Sequence, residues 1–165
     1  MTAHEIERKF VLPERPALDE TPIAGAGRAA IEQTYLSGLD GASERIRLVR
    51  DENRDERYFH TVKRRVSDLT REETEREIDR AEYDSLWQRR DPERGTIRKT
   101  RYSFPFGGRV FELDVFDDPA DVVLLEVELP SEDARVELPP FDGLREVTGD
   151  DAYSNSELAR RAARP

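Results

Sequence analysis

Cysteine is absent from the chain. That excludes a disulfide framework and any metal site built on thiolates. Histidine occurs only as His4 and His60, so a zinc site is disfavoured and each histidine reads as a surface or strand-edge residue. No apolar run approaches the roughly 18 residues that a membrane span needs, and no apolar signal segment opens the sequence. A soluble, cytoplasmic protein without a membrane partner is the expectation. Hydrophobic residues make up only 36%, a composition that also suits disorder. Disorder is set aside because apolar and polar residues alternate strictly in segment after segment. The net charge of −10 lacks the basic footprint of a general nucleic-acid binder. It leaves room for an anionic ligand, because a local site can differ in sign from the whole chain. The 165 residues suit one domain, 1–165, with one sizeable core.

Lysine is scarce as well. Of the 27 lysines and arginines, only Lys9, Lys63 and Lys99 are lysine. A drift toward arginine would account for the rest but not for where the three lysines remain. Lysine offers a compact point charge, whereas arginine offers a planar fork that keeps its proton. The three positions are therefore candidates for sites that need the ammonium itself, and each lies inside an alternating segment.

What the chain has in excess is charge, 39% of residues against an average of about 25%, arranged with period two. In "HEIERKFVL" (4–12), Glu5, Glu7 and Lys9 share one parity and Ile6, Arg8 and Phe10 the other, so in a strand they face opposite ways. The same reading marks 31–37, 43–51, 57–65, 71–79, 95–104, 109–117 and 122–130, eight candidate strands in all. Gly107-Gly108 is a hairpin-turn signal. Mostly short links suggest an antiparallel all-β core. Helices are fewer. Residues 80–91 carry Tyr83, Leu86 and Trp87 at helical spacing and stop before Pro92. Residues 154–162 open on Ser154 with Glu157 three positions on, a capping-box pattern. Residues 141–149 suit another short helical turn, and 13–30 read as a loop or a weak helix.

The charged parities come in same-sign pairs: Glu5/Glu7, Arg45/Arg47, Glu73/Glu75, Lys99/Arg101, Glu112/Asp114 and Glu126/Glu128. A half-exposed sheet would turn such faces to water. A sheet closed on itself would turn them into a lumen, with the apolar parity outside beneath the helices. A charged lumen is costly unless wet or filled by ligand and counter-ions. Carboxylates in clusters suit Mg²⁺ or Mn²⁺, and rows of Arg and Lys suit phosphate oxygens. On pattern alone the solvated face and the lumen for a metal-bound polyphosphate both stay open.

The segment "EIERKF" resembles the ExExK signature of the CYTH family, the triphosphate tunnel metalloenzymes. "TYLS", "RIRLVR", "TVKR", "REETEREI", "IRKTRYSF", "FELDVFDD", "LLEVELP" and "DDAYSNSELAR" resemble further family blocks in the family's order, over nearly the whole chain. The resemblance implies a closed antiparallel eight-stranded β-barrel, a tunnel with a charged interior and a few helices packed outside. It implies that Glu5 and Glu7, with Glu126 and Glu128, hold divalent metal, Mg²⁺ or Mn²⁺. Glu73, Glu75 and Asp114 match further acidic positions, Glu112 less clearly. Lys9, Arg45, Arg47, Lys63 and Arg101 match positions that grip triphosphate. Lys99 matches a position that binds substrate and helps activate water, so Lys99, Glu5 and Glu7 are the catalytic candidates. Tyr35 is expected to order the site by hydrogen bonding. Asn155 and Ser156 could contact ligand, although helix capping explains them more simply. The implied activity is metal-dependent hydrolysis of a triphosphate, inorganic tripolyphosphate first, by a monomer or homodimer. Alternatives are a class IV-type adenylate cyclase, a thiamine or nucleoside triphosphatase, and a non-catalytic polyphosphate-binding module.

Overall fold

Period-two alternation resolves into strands at all eight expected places. The structure, a computed structural model, describes residues 2–20 and 22–165. The strands are β1 (Thr2–Val11), β2 (Gly27–Tyr35), β3 (Ser43–Arg50), β4 (Glu56–Arg65), β5 (Thr70–Ile78), β6 (Ile97–Phe106), β7 (Arg109–Asp118) and β8 (Val123–Glu128), with a short β9 (Arg145–Glu146). They pair antiparallel in the order β5-β4-β3-β2-β6-β7-β8-β1, and a β5–β1 pairing closes the ring into an eight-stranded barrel. β9 adds to the edge of β1 at Phe10 and Val11. Gly107 and Gly108 have φ of 56° and 76°, the left-handed pair that a tight two-residue hairpin between β6 and β7 requires.

The apolar parity faces outward, but helices cover only part of it. Phe10, Phe104, Phe111, Leu113, Leu125 and Val127 pack on the outside of β1, β6, β7 and β8. Their cover comes from loops: Leu12, Ile23 and Ala26 on one side, Leu129, Ala134, Val136, Phe141 and Leu144 on the other. A helix, α1 (Arg80–Trp87), covers Ile46, Ile78 and Tyr58 with Tyr83, Leu86 and Trp87. The side chain of Asp79 caps it by accepting from the Glu82 amide at 2.8 Å.

Both expected helices are shorter than their sequence patterns. After Trp87 the chain tightens into three-residue turns, and Asp91 then donates its amide to the Tyr35 carbonyl at 2.9 Å. A bridge between Leu36 and Arg90 holds this end to the barrel, so pairing with β2 replaces the last helical turn. α2 spans Asn155–Leu158, capped by Ser154 Oγ accepting from the Glu157 amide at 3.1 Å. It stops because the Ala159 carbonyl turns to the amide of Gly95 at 2.8 Å. A Cβ on Gly95 would lie 2.4 Å from the Ala163 carbonyl oxygen, so the chain approaches this closely only over glycine. Residues 141–149 form turns and β9 rather than a helix, because Val147 donates to the Lys9 carbonyl at 2.9 Å and continues the β1 edge. β2 begins at Gly27, inside the stretch expected as loop. Among the described residues, no helix is long and apolar enough to cross a membrane.

Candidate active site

Residues directly opposite one another in a ladder share a face, so register fixes which side chains meet inside. Glu7 and Lys9 of β1 lie opposite Glu128 and Glu126 of β8. Glu126 lies opposite Glu112 of β7, and Asp114 opposite Arg101 of β6. Lys99 lies opposite Ile31 of β2, and Gln33 opposite Arg47 of β3. Arg45 lies opposite Thr61 of β4, Lys63 opposite Glu73 of β5, and Arg71 opposite Glu5, back on β1. The chain of pairs runs around the ring and puts every expected site residue on the lumen face.

Inside, charges of opposite sign find each other. Lys63 Nζ bridges Glu5 at 2.7 Å and Glu73 at 3.1 Å. Asp114 sits between Lys99 Nζ at 2.7 Å and Arg101 Nε at 2.8 Å. Arg101 also reaches Glu112 at 2.6 Å, and Arg47 reaches Glu75 at 2.8 Å. Thr61 donates its hydroxyl to Glu75 at 2.6 Å. Lys9 Nζ stands 3.7 Å from Glu126 and donates to the Tyr153 carbonyl at 3.2 Å. Lys99 Nζ also donates to Asn155 Oδ1 at 3.0 Å. All three lysines of the chain are thus lumen residues.

At the end of the barrel where β4 finishes and β5 begins, the lumen opens into a cavity of about 290 Å³. Lys9, Arg45, Lys63, Arg65 and Arg71 supply its positive charge, and Glu7 and Asp151 its carboxyl groups. The C-terminal segment supplies Ser154, Asn155 and Ser156 to the wall. Next to it the lumen is apolar: Tyr35, Ile97, Phe116 and Leu124 face inward under Leu158 and Ala159. Arg47, Lys99 and Arg101 lie inside the barrel but do not line this cavity.

The electrostatics divide the acids. Burial, then Glu126 and Glu5, push Glu7 up to about 8. Burial would also raise Glu5, but the Lys63 ammonium, a hydrogen bond with Glu73 and the Arg45 charge together overcome it and hold Glu5 down to about 2. Burial and the neighbouring Glu5 raise Glu73 and Glu128. Asp114 is held well below the usual carboxylate range, burial being overcome by Arg101 and Lys99. Burial, reinforced by Arg101, pushes Lys99 down to about 8.

These acids fit a hard cation by chemistry, though they do not form a ready cage. Glu7 and Glu128 make no ion pair among the described residues, and the buried Oε1 of Glu126 accepts no hydrogen bond. Like charges crowd on β1 and β8, the condition that a divalent ion relieves. Yet among the described residues no three acidic side chains converge to hold an ion as they stand. Glu5 and Glu126 are turned to lysines, Glu75 to Arg47, and Asp114 to two cations. Sequence reasoning missed Arg65 and Arg71. Their parity was the signal: each lies two positions from an expected residue, Lys63 and Glu73, on the same face. Asn155 does more than occupy a cap, since it holds Lys99. His4 is exposed, and His60 lies on the outer face, 2.8 Å from Glu44.

A closed antiparallel barrel with paired charges in its lumen and cations at its mouth defines a tunnel-type anion-binding protein. Residues 3–140 match the CYTH domain, and the chain belongs to that family. The inorganic triphosphatase of Nitrosomonas europaea is 37% identical over 162 residues, 94% of this chain and 96% of that protein. The inorganic triphosphatase of Acetivibrio thermocellus is 32% identical over 157 residues, 94% of this chain and 93% of that protein. A crystal structure of an inorganic triphosphatase covers 98% of this chain and 97% of its own at 31% identity, with a TM-score of 0.60.

Proposed function

We infer that this chain is a metal-dependent triphosphatase acting on inorganic tripolyphosphate inside its barrel. The observation that carries this reading is the cation-lined cavity set against the unpaired carboxyl of Glu7. Two relatives named for that activity, matched over nearly their full length, support it. The cavity is small beside the roughly 300–1,000 Å³ typical of drug-sized ligands. Among the described residues its walls hold one aromatic ring, Tyr35, and one aliphatic side chain, Ala42. Charged and polar groups dominate it, which favours a bare polyphosphate over adenine or the rings of thiamine.

Lys9, Lys63 and Arg45 would bind the phosphate oxygens, with Arg65 and Arg71 at the mouth. As fixed donors they stabilise charge that builds on those oxygens and on the departing phosphate without reorganising. Glu5, Glu7, Glu126 and Glu128 would hold Mg²⁺ or Mn²⁺, with Glu73, Glu75 and Asp114 as further acidic positions. Such an ion, when bound, supplies neutralisation of phosphate charge. Arg47 and Arg101 set the field deeper in the barrel. Lys99 is suited to proton transfer: its pKa of about 8 lies close to neutral pH. Asp114 and Asn155 occupy two of its N–H donors. The neutral amine would then turn its lone pair away from both partners and accept a proton from water at Nζ.

The segment beyond residue 140 lies outside the family match yet lines the cavity, so we read 1–165 as one domain. The same reading has it acting on a free small triphosphate in the cytoplasm, as a monomer or homodimer. The test is phosphate release from tripolyphosphate, ATP and thiamine triphosphate across a panel of divalent metals, with cyclic AMP monitored. Tripolyphosphate should be turned over fastest, and only with metal. Production of cyclic AMP, or binding without turnover, would overturn the assignment.

A further inference from the structure

Gln33 is buried to 1% exposure in the lumen wall, and the ion-pair network does not include it. A fully buried amide in a charged barrel needs its own account, since burying it without hydrogen bonds is costly. Its Nε2 donates to the hydroxyl oxygen of Tyr35 at 2.9 Å. Tyr35 in turn lines the cavity. Arg45 lines the same cavity, and Tyr35 leads the groups that raise it against burial.

A phenol oxygen carries one hydrogen and can also accept. Here its oxygen accepts from the amide of Gln33. The phenol hydrogen therefore cannot point at that amide and is left to the open side, the cavity that Tyr35 lines. We propose that Gln33 is a positioning residue for Tyr35, directing the phenol hydrogen into the cavity as a donor to a phosphate oxygen of the substrate. Arg47 lies directly opposite on the same face, and the amide's Oε1 and Arg47 Nε are both buried without a hydrogen-bond partner. The result is a neutral donor at the cavity wall that adds direction to the charge of Lys9, Arg45 and Lys63. It recognises an oxygen acceptor by geometry as well as by charge.

The inference rests on the triphosphatase reading, and steady-state kinetics on a double-mutant cycle test it. Tyr35→Phe deletes the donor, and Gln33→Met keeps the volume but frees the phenol to rotate. Each should raise KM for tripolyphosphate on the order of tenfold to a hundredfold, the range for one hydrogen bond to a charged group, with kcat little changed. Because Gln33 acts through Tyr35, Tyr35→Phe/Gln33→Met should be no worse than Tyr35→Phe alone. Gln33→Glu keeps the shape but accepts the phenol hydrogen, and should match Tyr35→Phe in KM. It also serves if Gln33→Met does not fold. A merely structural glutamine would instead lower melting temperature and active fraction and leave KM alone. That result, additive effects in the cycle, or a wild-type KM for Gln33→Glu would overturn the proposal. If wild-type protein does not hydrolyse tripolyphosphate, the triphosphatase reading itself falls, which is a separate outcome.

Discussion

Asp114→Asn should act first on stability, and metal should not be needed to see it. The carboxylate is 1% exposed and lies 2.7 Å from Lys99 Nζ and 2.8 Å from Arg101 Nε. Its neutral replacement leaves Lys99 with no carboxylate partner and Arg101 with Glu112 alone. Removing one partner of a buried ion pair costs about 3–5 kcal/mol, because the remaining charge is stranded. For a chain of this length, each kcal/mol lowers the melting temperature by about 2–4 °C, so a fall of about 6–20 °C is expected. The assay is thermal unfolding followed by circular dichroism in excess chelator at neutral pH. The loss should persist at high salt, since screening hardly reaches a buried pair. Lys99→Met should partly rescue the asparagine variant, because it removes one stranded charge. The pH dependence has a fixed sign. Asp114 is depressed in the folded state, so its contribution is present above the unfolded carboxylate range and disappears as pH falls below it. An asparagine variant melting within about 2 °C of wild type in chelator would refute this counter-ion role. Asp114 would then be left with the metal role that the family resemblance implies.

Glu7 should show the opposite slope: raised to about 8 from 4.5, it keeps its proton on folding while the unfolded chain loses it. Metal-free protein should lose stability as pH rises from about 4.5 to 8, and denaturant melts of Glu7→Gln should lack that slope. Glu126→Gln should remove most tripolyphosphate hydrolysis without unfolding the protein, and activity should vanish in chelator and return with Mg²⁺ or Mn²⁺; full turnover in chelator would exclude the metal role. Tripolyphosphate plus metal at about 100 times Kd should stabilise by about 2.7 kcal/mol, a rise of roughly 5–11 °C in melting temperature. Lys9→Arg and Lys63→Arg should mainly raise KM, and Lys99→Arg mainly lower kcat, since arginine keeps the charge but not the compact ammonium or the transferable proton. Wild-type constants in all three would return the lysines to a composition effect.

The barrel wall was legible because a strand alternates strictly, and here the alternation was between charge and hydrocarbon. Parity placed Glu5, Glu7, Lys9, Arg45, Arg47, Lys63, Glu73, Glu75, Lys99, Arg101, Asp114, Glu126 and Glu128 on one face, and the register closes those faces around a lumen. What parity could not say is which way the face turns; closure depends on β5 meeting β1, sixty-odd residues away in the chain. The outer cover was illegible for a related reason. Ile23, Val136, Phe141 and Leu144 reach the core from loops that have no period, so no pattern marked them as core. Helix lengths were overestimated because α1 and α2 end where backbone groups find partners on distant segments, Tyr35 of β2 and Gly95. Arg65 and Arg71 were readable by parity: each continues the lumen face of Lys63 or Glu73 at spacing two.

The lumen settles the cost of its own charges by internal pairing, and that bears on how it would take a ligand. Glu5, Glu73, Glu75, Glu112, Asp114 and Glu126 each face a base. A polyphosphate entering at the mouth competes for Lys9 and Lys63 against the acids and backbone they now hold. Each base won by a phosphate leaves a carboxylate with less positive charge beside it. Those released carboxylates, Glu5 and Glu126, lie on the same two strands as Glu7 and Glu128, which have no base to lose. Anion binding at the mouth therefore raises the demand for a cation on β1 and β8, and a cation there frees the lysines for phosphate. The two ligands should bind with positive coupling, each raising the other's affinity by the same factor. Titration calorimetry of a non-hydrolysable triphosphate with and without Mg²⁺, and of Mg²⁺ with and without the triphosphate, measures both sides of that square. The free metal–triphosphate complex must be subtracted. Affinities that are independent of one another after that correction would mean that the pairs seen in the lumen do not exchange.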